Sequence, residues 1–208
     1  MILGMFAALA AGQDPAKKSA DLTDPVEILK KADAARKAVD FIQYTASAKG
    51  EGAAEKLLPK ASGTVVLKGW NNGAPAQARY EAKIERPGSS DVSEITVGSD
   101  GKTYYLINAK EKKVYEDIDP AVVGTAGTGV RRALTMGEYV HPEPFSDEIK
   151  GKKQELKGTT KVGDEDCYEI HVTYTDGGQE ATWFFSKKDF LPRRADRFFS
   201  VPTGEKGS

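Results

Sequence analysis

Apolar side chains recur at helical spacing after Asp24: Ile28, Leu29, Ala32, Ala35 and Val39 share one face of the stretch "DPVEILKKADAARKAV". Asp24 suits an N-cap, Pro25 the first helical position, and Glu27 stands three residues beyond the cap, so the pattern predicts a helix with a strong start signal. From about residue 40 the period shortens to two. Alternation predicts strands over 40–48, 62–70, 76–86, 92–98, 103–108 and 113–118. A second group is predicted over 152–159, 166–175, 179–186 and 193–199. "NNG" at 71–73 and "DG" at 100–101 supply turn residues that tolerate positive φ, and "VGDED" and "DGG" punctuate the second group. Connections this short do not carry parallel crossovers. The expected fold class is therefore α+β, an open antiparallel sheet with a helix against it.

One strand breaks the simple alternation. Tyr104, Tyr105, Leu106 and Ile107 stand side by side, which puts apolar groups on both faces of the sheet. Val65 and Leu67, Tyr80, Ala82 and Ile84, and Trp183 and Phe185 each share a face of their own strands, giving a large apolar surface to be covered. The N-terminal helix supplies part of the cover through Ile28, Leu29 and Ala32. Residues 119–149 supply the rest, with Val122, Val123, Leu134 and Met136 closing over the sheet. Gly124, Gly127 and Gly129 precede a helix-compatible stretch around Val130 to Tyr139, and they predict a segment free to rearrange as a lid. A ligand, or a filled core with no cavity, is the alternative cover.

At 208 residues the chain is sized for one domain. Its 30 basic and 31 acidic side chains leave a net charge of -1, which offers no global attraction for nucleic acid or anionic lipid. The apolar run Ile2 to Ala11 is too short to span a bilayer and reads as a secretory leader over 1–12, with an N-terminal strand or apolar helix end as the alternative. A polar lead-in over 13–23 and one domain over 24–208 follow. Cys167 stands alone, so no intramolecular disulfide is expected.

Catalytic chemistry finds little support. Cys167 and His171 are four apart on one strand face, roughly 13 Å by strand rise, too far for a thiolate-imidazole pair. The carboxylates of "GDEDC" lack the ligand spacing of a calcium loop, and the glycines at 124–129 are not followed by a phosphate-binding lysine. A hydrolase built on His171 or on residues 164–166 is the weakest reading. The basic run "KKDFLPRRADR" reads as a charged outer face. No catalytic residue, metal ligand or cofactor is expected.

The helix at Asp24, the stretch "SDGKTYYLIN", and "GDEDCYEIHVTY" continuing to "ATWFFSKKDFLPRRADRF" together resemble the LolA/LolB superfamily of periplasmic lipid and lipoprotein carriers, with its LppX and LprG type. The resemblance runs over about 24–199. It implies a sheet curved into an incomplete barrel whose concave face, lidded by helices, receives acyl chains. The family's latching arginine before a proline is not carried over, because the strand ends "LKGW" and Arg86-Pro87 falls one strand later. Members also continue further at the C-terminus, which makes the chain a candidate fragment.

These readings converge on a periplasmic or secreted carrier or sensor of lipid or lipoprotein acyl chains, not an enzyme, with envelope donor or acceptor proteins and transient membrane contact. The expected ligand positions are Tyr80, Ala82, Ile84, Tyr105, Leu106, Trp183 and Phe185. The expected lid is Ile28, Leu29, Ala32, Val122, Val123, Leu134 and Met136. A non-catalytic envelope interaction module with a filled core is the competing reading.

Overall fold

A computed structural model of the chain describes residues 2–6, 21–175 and 179–198. Asp24 caps helix α1, Pro25–Lys37, by accepting a hydrogen bond from the Val26 amide, as the start signal requires. A six-stranded antiparallel meander follows: β2 Phe41–Lys49, β3 Lys60–Asn71, β4 Ala74–Glu85, β5 Val92–Ser99, β6 Tyr104–Asn108 and β7 Lys113–Asp117. A four-stranded meander closes the chain: β8 Lys153–Val162, β9 Glu165–Thr173, β10 Glu180–Ser186 and β11 Pro192–Phe198. Every predicted strand is present to within a few residues. The fold is α+β, with an open curved sheet and no closed barrel.

Turn chemistry accounts for the tight connections. Asn72 and Gly73 take φ 49° and 82° between β3 and β4, and Gly101 takes φ 96° before β6. The "DGG" turn lies outside the described residues. Of the stretch read as a leader, Ile2–Phe6 forms a strand, β1, paired antiparallel with β2 on one side and β11 on the other; residues 7–12 lie outside the described residues. With β1 in place the strand order is β7-β6-β5-β4-β3-β2-β1-β11-β10-β9-β8.

That order puts β7 and β8, consecutive in the chain, at opposite edges. The connection between them therefore traverses one face of the sheet. It does so as a 3₁₀ turn, Pro120–Val123, helix α2, Gly124–Leu134, a second 3₁₀ turn, Gly137–Val140, and the single helical turn α3, Ser146–Ile149. Along the way Thr135 reaches Tyr80 of β4, Glu138 reaches Arg197 of β11, and Phe145 packs edge-on against Trp183 and Phe185 of β10. Ile28, Leu29 and Ala32 of α1 are fully buried on the same face, as are Val123, Leu134 and Met136, with Val122 half-buried. These residues pack into the core of the molecule.

Two expectations change. Helix α2 occupies 124–134, not the stretch around 130–139, and its glycines lie within it. Gly127 is required by packing: a Cβ there would sit 2.6 Å from Val123 Cβ and 2.9 Å from Val97 Cγ2, so its absence seats α2 against β5. The stretch after Leu134 turns away because Thr135 takes extended backbone. Tyr105 is the other correction. Leu106 points into the core while its neighbour Tyr105, by the two-residue period, stands on the convex face over Gly98, and it lines an outer hollow with Phe41, Val66 and Arg79. It is not a concave-face position.

Gly127→Ala is expected to destabilise the protein by about 1–3 kcal/mol through overpacking against Val97, whereas Gly129→Ala, which meets open space, is expected to stabilise it by about 0.5–1 kcal/mol. Paired thermal melts of the two variants check the opposite signs.

Candidate functional site

The described concave face is largely packed core, with one open-sided hollow beside α2. Under α1 it is filled: Trp183 and Phe185 stack at 5.8 Å between centroids, and Phe145 meets them edge-on at 5.5 and 5.2 Å. Trp183 and Phe185 are fully buried. These two expected ligand positions are closed core.

The hollow lies between the crossing segment and the strands β4 and β11. A cavity of about 560 Å³ is bounded there by Tyr80 and Ala195 from the sheet and by α2 and the turn after it from above. Thr128, Arg131, Arg132 and Thr135 lie at i, i+3, i+4 and i+7, so one side of α2 borders the cavity while Gly127, Val130 and Leu134 pack on the sheet. Met136, Gly137, Glu138, Val140 and Arg197 complete the lining. Of the expected ligand positions Tyr80 borders this cavity, and of the lid positions Met136. Ala82 borders a different hollow on the sheet with Glu81, Lys83 and Ile95. Ile84 and Leu106 pack with the core.

A network of buried polar groups fixes the roof. The Tyr139 carbonyl accepts from Arg36 Nε at 2.8 Å, from Arg36 Nη2, and from Trp70 Nε1 at 3.0 Å, which ties α1 and β3 to one peptide of the crossing segment. The Arg36 guanidinium lies over the Trp70 ring at 4.1 Å, and burial lowers its pKa from the usual arginine value. Tyr44 Oη donates to the Leu134 carbonyl at 3.2 Å, and its ring stacks on Tyr139 at 5.8 Å. Thr135 Oγ1 donates to Tyr80 Oη at 3.1 Å. Burial raises the phenol pKa of both Tyr44 and Tyr139, so these side chains serve as neutral hydrogen-bonding posts.

Between the hollow and the aromatic block sit two carboxyl groups. Glu138 pairs with Arg197, whose guanidinium lies over the Trp183 ring at 5.2 Å; Glu138 Oε2 is buried without a partner among the described residues. Tyr174 Oη donates to Glu148 Oε1 at 2.7 Å and accepts from Trp183 Nε1 at 3.2 Å. Burial, and then the nearby Glu138 charge, push the Glu148 carboxyl up to about 7.

The basic run is not a uniform outer face. Arg194 lies over Phe184 and pairs with Asp196, Arg197 turns inward to Glu138, and Arg193 is buried between Glu165 and Asp189. A bulge between Phe184 and Phe185 breaks the register beside Arg193. Burial raises the Cys167 thiol to about 11, which disfavours its nucleophilic thiolate. His171 Nδ1 is 3.1 Å from Thr182 Oγ1, and the ring is half-buried. Among the described residues no group of three or more His, Cys, Asp or Glu side chains is placed to hold a metal.

Glu148 carries a pH prediction. Its folded pKa is raised, so its stabilising contribution is complete below the ordinary value of 4.5 and is lost as pH rises to about 7. Between those limits the wild type should lose on the order of 3 kcal/mol relative to Glu148→Gln, which keeps the Tyr174 hydrogen bond without the charge. Denaturation of both proteins from pH 4.5 to 8 measures the difference.

No protein-family model matches the sequence, and no curated protein matches it. A solved structure of a DUF1329 family protein from Desulfovibrio piger is similar to this chain at 17% identity and a TM-score of 0.33, covering 85% of this chain and 74% of that one.

Proposed function

We propose that this protein is a LolA-like carrier or sensor that holds a hydrophobic ligand between the crossing segment and the concave face, without changing it chemically. The observation that supports this reading is the cavity of about 560 Å³ under α2, within the roughly 300–1,000 Å³ usual for small-molecule sites and walled by Tyr80, Met136, Val140 and Ala195. Each methylene of an acyl chain buried there contributes about 0.8 kcal/mol, so a lipid or lipoprotein acyl chain is the favoured ligand. A periplasmic or secreted location, with envelope proteins delivering and accepting the ligand, belongs to the same proposal. Binding alone suffices for such a role; neither Cys167 nor His171 borders the cavity.

A second reading has its own support. The aromatic block of Phe145, Trp183 and Phe185 continues into a core that is buried across the described sheet, as an interaction module with a solid core would have it.

The two readings separate in one experiment. Native mass spectrometry of gently purified protein is expected to reveal bound lipid, and Gly137→Phe, at a position on the cavity wall where an added Cβ meets open space, should reduce it severalfold while leaving the melting temperature nearly unchanged. Protein that stays empty under every lipid supply would favour the solid-core module.

A further inference from the structure

We infer that the cavity under α2 takes single-chain amphiphiles with an anionic head, the head bound at Arg131 and Arg132; this rests on the carrier reading above. Among the described residues the lining contains three arginines, Arg131, Arg132 and Arg197, against one acid, Glu138, a formal balance of +2. The chain as a whole is at -1, so this concentration of positive charge is local. Arg197 and Glu138 neutralise one another, which leaves the surplus on α2.

Other arginines on the concave side and on β11 are already engaged. Arg36 is held by the Tyr139 carbonyl, Arg193 by Glu165 and Asp189, and Arg194 by Asp196. Arg131 and Arg132 form no ion pair among the described residues, and both are exposed where the cavity opens beside α2. Their place in the last turn of α2 gives a favourable interaction with the helix dipole, but that accounts for cations on any side of the helix. What the dipole does not account for is their spacing with Thr128 and Thr135 along the side that borders the cavity.

The arrangement is graded along its length. Buried Tyr80, Met136 and Ala195 form the apolar interior, half-buried Thr135 lies between, and two guanidiniums stand at the exposed rim. An apolar chain with a carboxylate or phosphate head matches that gradient, since guanidiniums make paired, charge-assisted hydrogen bonds to either oxyanion. A neutral or cationic head would leave the rim charge unmatched.

Dodecanoic acid, dodecyl phosphate, dodecanol and dodecyltrimethylammonium, each titrated below its micellar concentration at pH 7.5, test the inference by calorimetry. Tighter binding of one or both anionic probes than of dodecanol, by about tenfold to a hundredfold, is expected from charge-assisted contacts. Which anion leads tells a carboxylate source from a phosphate source. Arg131→Gln with Arg132→Gln should abolish the preference by weakening the anionic probes toward dodecanol, and a circular dichroism spectrum matching the wild type shows that the variant is folded. Equal affinity for all heads, or a preference that survives in the double variant, would overturn the head-group assignment and leave the carrier standing. No binding by any of the four probes would remove the carrier reading and the head-group assignment with it.

Discussion

Because β7 and β8 follow one another in the chain yet lie at opposite edges of the sheet, the residues between them have to traverse a whole face. That constraint organises everything on the concave side. The sheet exposes Ile42, Tyr44, Val65, Leu67, Tyr80 and Trp183 toward this face, and burying them depends on a segment whose two ends are already fixed. The crossing piece cannot drift far from the sheet without losing one of its strand anchors. Where it packs closely, as at Gly127 and Phe145, the interior is solid; where α2 hands over to the next turn, a cavity remains.

Polar groups give this cover its position, a task that apolar contact performs poorly because it lacks direction. Tyr139 is the centre of that arrangement. Its carbonyl serves donors from α1 and β3 while its ring stacks on Tyr44 of β2, so three separate elements agree on the location of one residue. Arg36 fastens α1 to the crossing segment through that carbonyl. Arg86 lies beside Glu55 and Lys60 at the far end of β4, in a separate polar hollow.

Much of the fold was legible because strand alternation and turn residues are local signals: β2 through β11 follow from period two and from turn residues such as Asn72-Gly73 and Gly101. The cover was legible as an apolar set, Val123, Leu134 and Met136, but its helix was misplaced. Glycine carries a penalty for helix in isolation, and only the tertiary contact with Val97 reveals why Gly127 belongs there. The cavity wall was harder still. Arg131 and Arg132 are adjacent in "GVRRAL", and helical spacing to Thr128 and Thr135 was available to find them, whereas Glu138 with Arg197 is a pairing across 59 residues that no local pattern announces. Tyr105 failed for the opposite reason, since the period that predicted the strand also assigns Tyr105 and Leu106 to different faces.

The strand order has a consequence for how the chain reaches this state. Within the two meanders every paired strand is a sequence neighbour, so loop closure is short and each meander has the low contact order of a locally nucleated unit. The seam is different: β1 joins β11 with Ile2 opposite Asp196, nearly the full length of the chain apart. Among the described pairings this separation carries the largest closure entropy. Folding by this topology is therefore a matter of two quick local assemblies and one slow encounter, and the slow encounter brings together the β4 and β11 walls between which the cavity lies.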